Sequence, residues 1–306
     1  MNFTKTVIVF LFLFLLHTPL SAQHRIADLP EHIRKSTVTY AVKGDDTLRM
    51  DIYRLKNAVE KQPAVLFQFG GSFWAGYRDR EIYGAYYRTL AERGFTVVAI
   101  DYRLGMKGKK YNLRTLTSKK EGLAEAVQVA VEDLFTATDF LLDHAGEWNI
   151  DPDSILASGS SAGAISALQA DWILKNRMAG SEILPAGFHY KGIIGFAGGI
   201  FSRRGGPKWE YGLPAPTLMF HGSKDRTVPY RTIRFFNIGM FTSKNLSRRM
   251  RRAGGEFLLI DLQGKDHNGG ANEAMTSGLI FTEWFLDEYI RQGEGRQLVI
   301  RVGEDF

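Results

Sequence analysis

Three residues far apart in the chain, Ser161, Asp225 and His267, have the types that together perform nucleophilic chemistry. Ser161 is the centre of Gly159-Ser160-Ser161-Ala162-Gly163, a G-x-S-x-G pentad. In a sharp strand-to-helix turn, such a pentad exposes the serine hydroxyl on a strained backbone. Side chains at the glycine positions would collide with the neighbouring strand and helix. A serine hydroxyl attacks a carbonyl only when a base takes its proton, and an imidazole held in one tautomer by a carboxylate is such a base. His267 lies in Gly264-Lys265-Asp266-His267-Asn268-Gly269, which reads as a flexible polar loop with no core for the imidazole to satisfy. Asp225, in His221-Gly222-Ser223-Lys224-Asp225-Arg226-Thr227-Val228-Pro229, is the preferred orienting carboxylate. Asp266 is passed over because adjacent loop residues rarely present their side chains to each other. His221 is the rival base, but Gly222 and Pro229 assign it to a turn. Asp261 sits inside a strand pattern and reads as structural. A tetrahedral intermediate also needs backbone N–H groups aimed at its oxyanion. The amide of Ala162, just after the serine, is one donor, and the glycine pair Gly70-Gly71 lets the main chain approach closely enough to supply another.

These residues need a scaffold that brings them to one place. Ala64 to Phe69, Phe95 to Asp101, Ser154 to Ala157, Gly192 to Phe196, Thr217 to Phe220 and Phe257 to Leu262 are short, apolar and β-rich. Strands buried on both faces of a parallel sheet look like this. Leu48 to Arg54 alternates like a half-buried strand. Helical spacing runs from Ile82 to Arg93, from Gly122 to His144, over the residues after Gly163, and from Ala274 to Arg291. The alternation predicts an α/β fold: a mostly parallel central sheet flanked by helices on both faces. In such sheets chemistry gathers outside the carboxyl ends of the strands. Gly70-Gly71, Ser161, Asp225 and His267 each follow one of these predicted strands. The segment between Phe196 and Thr217 is too short for a large cap domain, so the site is expected to be open, with Phe201, Trp209, Tyr211 and the basic residues 105–121 as candidate rims. Phe73, Trp74 and Tyr77 are equally suited to stack on a sugar or aromatic ring and to fill the space beneath their loop. The tail at 296–306 alternates weakly, as an edge strand would.

Composition narrows the field. Apolar residues at 44% and charged residues at 24% make a globular balance, which excludes a collagen, a disordered tail and a multispan membrane protein. The chain has no cysteine, so disulfides, thiolate zinc sites and a cysteine nucleophile are excluded together. The net charge of +6 is a mild excess that does not specify nucleic acid. The run Ser247-Arg248-Arg249-Met250-Arg251-Arg252 reads as the solvated face of a short helix ending before Gly254-Gly255. No paired-histidine spacing suggests a metal, and the glycine pair lacks the lysine of a phosphate loop, so no cofactor is expected. Residues 1–22 carry Lys5, then the apolar run Val7 to Leu16, then Pro19 and Ser21-Ala22. This is the pattern of a signal peptide, and the run falls short of the roughly 20 apolar residues of a membrane span. The expectation is a leader over 1–22, one domain over 23–306, and export to the periplasm or beyond.

These residues and their order resemble the α/β-hydrolase superfamily from about Leu48 to Arg291. Within it, the chain is most similar to small bacterial carboxylesterases of the hormone-sensitive-lipase-like and feruloyl/acetyl esterase branch. The stretches that carry the likeness are FGGSFWAG (69–76), VVAIDYRL (97–104), WNIDPDSILASGSSAGA (148–164), APTLMFHGSKDRTVP (215–229) and GKDHNGG (264–270). The resemblance implies Ser161 as nucleophile, Asp225 as acid, His267 as base, and Gly71, Ser72 and Ala162 as the oxyanion hole. It implies a cofactor-free serine carboxylesterase for short-chain or aryl esters, including acetyl or feruloyl groups on polysaccharide. A lipase or peptidase on the same scaffold, or an inactive binding module, are the alternatives. The chain departs from the family at Phe69-Gly70-Gly71-Ser72, where His-Gly-Gly-Gly is usual, so the histidine that braces this loop is missing.

Overall fold

The computed structural model describes residue 26, residues 29–108 and residues 116–303. The expected leader at 1–22 and residues 109–115 of the expected basic rim lie outside the described residues. Strands β1 (Ile33–Lys43) and β2 (Asp46–Leu55) form an antiparallel hairpin. They continue into β3 (Gln62–Gln68), β4 (Thr96–Ile100), β5 (Ile150–Ser160), β6 (Gly192–Phe196), β8 (Thr217–Gly222), β11 (Phe257–Leu262) and β12 (Gln297–Val302). The nine-stranded order is β1-β2-β4-β3-β5-β6-β8-β11-β12. From β4 to β12 every pairing is parallel, while β2 meets β4 antiparallel. Every residue of β4, β6, β8 and β11 is buried, which explains why these strands read as nearly continuous apolar runs.

The helices cover this sheet with the faces that their spacing dictates. Helix α1 (Gly84–Glu92) buries Tyr86, Tyr87, Leu90 and Ala91. Helix α2 (Leu116–Asp143) begins six residues before the expected Gly122 and buries Ala126, Ala130, Val131, Leu134 and Leu141. Helix α3 (Ala162–Leu174) is buried on all sides from Ala162 to Trp172, as a helix without a polar stripe must be. The basic run falls in α4 (Ser243–Ala253), closed by Gly254 in the left-handed conformation.

Two expectations need correction. The loop expected around His267 is helical, because α5 (His267–Ala274) starts at the histidine itself. The single helix expected from Ala274 to Arg291 is instead α6 (Leu279–Phe285), followed by π-helical turns over Leu286–Arg291. Thr276-Ser277-Gly278 offers no apolar side chain to hold a helix between Met275 and Leu279. A small second sheet, unexpected from the sequence, is built from β7 (Gly199–Ser202), β9 (Ile233–Phe235) and β10 (Ile238–Thr242) in the order β7-β10-β9. Its strands are too short to show a period. The weakly alternating tail is a parallel edge strand, β12. Among the described residues, no helix is long and apolar enough to cross a membrane.

Candidate active site

The turn between β5 and α3 holds Ser161 at φ 51° and ψ −112°, a sparsely populated backbone conformation that costs about 1–3 kcal/mol. Close packing maintains it. A Cβ on Gly159 would stand 2.3 Å from the backbone of Gly163, and one on Gly163 would stand 2.0 Å from the carbonyl oxygen of Gln68 in β3. The Ser161 N–H donates to Phe196 O at the end of β6 (2.7 Å), which pins the turn across the sheet.

The loop after β8 presents Asp225, and the first turn of α5 presents His267. These two segments sit close together because position 222 is glycine: a Cβ there would meet Lys265 O at 2.4 Å. Asp266 caps α5 by accepting from Gly269 N at 2.8 Å, which turns its side chain away from the neighbouring imidazole. His267 Nδ1 lies 2.7 Å from Asp225 Oδ2, and His267 Nε2 lies 2.9 Å from Ser161 Oγ. An ionised carboxylate can only accept, so Nδ1–H donates to Asp225 and Nε2 is left to accept from the serine hydroxyl. The Asp225 side chain is fully buried, that of His267 is 16% exposed, and Ser161 is 9% exposed.

Asp225 is held by more than His267. Its Oδ1 accepts from the backbone N–H groups of Thr227 (2.8 Å) and Val228 (2.9 Å). Burial pushes its pKa up, but hydrogen bonds from His221 and His267 and the charges of both rings outweigh burial and lower it from 3.8 to about 2. His221, assigned to a turn from the sequence, is thus a buried support of the acid. Its Nε2 lies 3.4 Å from Asp225 Oδ2 and 2.7 Å from Val228 O, and its Nδ1 lies 2.7 Å from Ser243 Oγ. A carbonyl accepts only, so Nε2–H is the donor and the ring's orientation is fixed. The sequence signal was the position of His221 as the next-to-last residue of a buried strand, where a polar group needs partners.

The Gly70–Phe73 loop lies against the serine: a Cβ on Gly70 would stand 3.2 Å from Ser161 Cβ. Gly71, Ser72 and Phe73 all have positive φ, at 138°, 55° and 59°. Among the described residues, the amides of Gly71, Ser72 and Ala162 donate to no protein acceptor. The missing histidine brace is replaced by tyrosines. Gly70 N–H donates to Tyr83 Oη at 3.1 Å, and Tyr102 Oη–H donates to Phe69 O at 2.9 Å. The Phe69 ring packs on Tyr102 with centroids 4.5 Å apart. Phe73 is buried and fills the space beneath the loop, whereas Trp74 is 45% exposed. Of the other candidate rim residues, Phe201 is buried, and Tyr211 is exposed with the Arg177 guanidinium 4.4 Å above its ring. Among the described residues, no group of three histidine, aspartate or glutamate side chains is placed to hold a metal ion.

Comparison with known proteins gives the same frame. Residues 50–181 match the BD-FAE family model. A probable isoprenylcysteine alpha-carbonyl methylesterase of Arabidopsis thaliana is 24% identical over 259 residues, covering 72% of this chain and 48% of that protein. Gut esterase 1 of Caenorhabditis briggsae is 28% identical over 143 residues, covering 46% of this chain and 24% of that protein. The chain thus spans half or less of the length of these curated relatives. Among solved structures, native esterase 2 of Thermogutta terrifontis superposes with a TM-score of 0.61 at 21% identity, over 87% of this chain and 95% of that one. The same esterase phosphorylated by paraoxon gives a TM-score of 0.60. Fold and comparisons together give this chain an α/β-hydrolase fold, with the BD-FAE match falling on residues 50–181.

Proposed function

We propose that the protein is a serine carboxylesterase that works through an acyl-enzyme. The observation that carries this reading is the unbroken hydrogen-bond line from Ser161 Oγ through the His267 ring to Asp225. Ser161 Oγ attacks the ester carbonyl as His267 Nε2 takes its proton, and Asp225 stabilises the imidazolium that forms. The uncommitted amides of Ala162 and Gly71 receive the oxyanion, with Ser72 beside them. Losing one such donor typically raises the barrier by about 3–4 kcal/mol. His267 then returns the proton to the leaving alcohol, and water repeats the sequence on the acyl-serine. No cofactor enters these steps.

Substrates are short-chain or aryl esters, with acetyl or feruloyl groups on polysaccharide as the natural class. Among the described residues no large cap stands between β6 and β8, and this, with the exposed indole of Trp74 next to the Gly70–Phe73 loop, suits a bulky alcohol. The composition of residues 1–22 supports export, with 23–306 as the catalytic domain. The test is hydrolysis of p-nitrophenyl acetate by wild type and Ser161→Ala, with paraoxon labelling read by peptide mass. The wild type should turn over and be labelled on Ser161. The variant should take no label and lose on the order of 10⁴-fold or more in kcat. Turnover retained by Ser161→Ala would reject the assignment.

A further inference from the structure

The charge of this chain is concentrated in one region. Residues 199–256 hold twelve lysines and arginines and three acidic residues, a net +9 in a chain whose total is +6, so the remainder is at −3. The folded chain arranges part of this excess around a cleft. A cavity of about 290 Å³ is lined by Arg231, Thr232, Lys244, Asn245 and Arg248. It shares Arg231 and Lys244 with a second cavity of about 220 Å³ whose wall includes Ser223, Asp261 and Arg301. Among the described residues, Arg231, Lys244 and Arg248 have no carboxylate partner, and Lys244 stands 5.3 Å from the centre of the Tyr230 ring. On the same helix, burial and then the like charges of Arg252 and Arg234 hold the Arg249 guanidinium below its ordinary value. Among the described residues that line the two cavities, Asp261 is the one carboxylate set against four cations, Arg231, Lys244, Arg248 and Arg301.

The walls of the cleft also hold polar side chains whose hydrogen-bonding capacity is only partly used, Asp261 being engaged by Tyr230 and Arg301 on one side of its carboxylate. Thr232 Oγ1 and Asp261 Oδ1 are buried and have no hydrogen-bond partner. Buried polar atoms of this kind are rare and call for an explanation. The Asp261 carboxylate, with Arg301 3.8 Å away, would repel a bare phosphate at this end but would accept from a hydroxyl. The pair of cavities therefore suits a ligand with a carboxylate at one end and hydroxyls at the other. The cleft is built on the loops that carry the triad. Ser223 lies two residues before Asp225, its N–H donates to Leu262 O, and its Oγ accepts from Gly264 N–H at 2.9 Å, just ahead of His267.

We infer that this cleft binds the sugar-acid units of a carboxylated polysaccharide, with carboxylates on Arg231, Lys244 and Arg248 and a ring hydroxyl on Asp261. It holds the polymer while its ester groups reach Ser161. The inference rests on the esterase reading for its purpose, but binding itself requires no turnover.

The test is titration calorimetry with de-esterified oligogalacturonate, using wild type and the double variant Arg231→Ala/Arg248→Ala. A neutral oligosaccharide of equal length, phosphatidylglycerol vesicles and a short DNA duplex serve as comparators. Both substituted positions are exposed, and an unchanged melting temperature checks the fold. The wild type should bind the oligogalacturonate in preference to all three comparators, weakening as salt rises. The double variant should bind it about tenfold more weakly, and Asp261→Asn should also weaken it. Activity on p-nitrophenyl acetate should not change in the double variant. Equal binding by wild type and double variant, equal binding of the neutral oligosaccharide, or preference for vesicles or DNA would overturn the inference. Selective oligogalacturonate binding by a protein that hydrolyses no ester would uphold the cleft and reject the esterase reading instead.

Discussion

The carboxylate that the proposed mechanism assigns to orienting His267, Asp225, also bears on stability. Its pKa of about 2 in the folded chain lies below the ordinary 3.8, so between these values the unfolded chain binds more protons than the folded one. The stabilisation is complete above about pH 4 and is lost as the pH falls towards 2. A shift of this size is worth about 2 kcal/mol. Melting temperature measured from pH 5 to pH 2.5 should fall more steeply in wild type than in Asp225→Asn, where this titration is gone. Parallel curves would place the acid sensitivity elsewhere. His221 belongs to the same unit. His221→Ala strands Ser243 Oγ, Val228 O and one side of Asp225, so it should cost about 1–3 kcal/mol in urea unfolding. It should also lower kcat on p-nitrophenyl acetate more than it changes KM, because the loop that orients His267 loosens while the Ser161 turn and the Gly70–Phe73 loop stay in place. A variant with wild-type kcat would reduce His221 to a core residue.

The elements show which parts of the site could be read from sequence. The buried parallel strands were legible because strands covered on both faces have no polar alternation, and β6 and β11 fall on the predicted residues. The serine turn was legible because its glycines answer to contacts as close as 2.0 Å. The bracing of the Gly70–Phe73 loop was not. It depends on Tyr83 before α1 and Tyr102 after β4, whose hydroxyls reach Gly70 and Phe69 only in the folded chain. Tyr83→Phe leaves the Gly70 N–H unpaired and should cost about 1–3 kcal/mol in stability, with a loss of kcat that Tyr102→Phe shares. Unchanged kinetics in both would mean the loop holds its shape without them. Inside α3, Asp171 was also invisible as a liability. Burial raises its pKa to about 6, against the weaker opposing effects of Lys175 and the Ala215 N–H, and its Oδ1 has no partner. A raised carboxyl pKa removes stability as pH rises from about 4 to 6, so the ionised form costs about 2–3 kcal/mol at neutral pH. Asp171→Asn keeps an acceptor for Ala215 N–H and should raise the melting temperature at pH 7.5 but not at pH 4.

At the scale of the whole molecule, the sheet has two unequal edges. β1 is long and mostly solvated, with Arg34, Lys35 and Lys43 along it, and charged edges of this kind resist pairing with another chain. The opposite edge is β12, whose pattern QLVIRV buries only Val302 outright and leaves Gln297 and Arg301 exposed. Behind it lies β11, FLLIDL, with every residue buried. The value of β12 therefore lies in what it covers. Its backbone pairs with β11 from Phe257↔Gln297 to Leu262↔Val302, and the flanking bonds Phe257 N–H to Arg296 O (2.9 Å) and Gln263 N–H to Val302 O (3.0 Å) extend the ladder to both ends. Cutting the chain after Gly295 would expose the unpaired side of an apolar strand directly ahead of the His267 helix. The truncated protein should lose several degrees of melting temperature and aggregate as concentration rises, because an uncovered apolar edge recruits another copy. Light scattering of the truncated and full chains at matched concentrations measures this. Adding charge to the new edge, with Leu259→Lys in the truncated chain, would unfold the core and so is no control. The informative control keeps β12 and replaces only its outward Val299 with Lys, which should leave the melting temperature and the scattering near the full-length values. If the truncated chain scatters no more than the full one, β12 does not protect this edge.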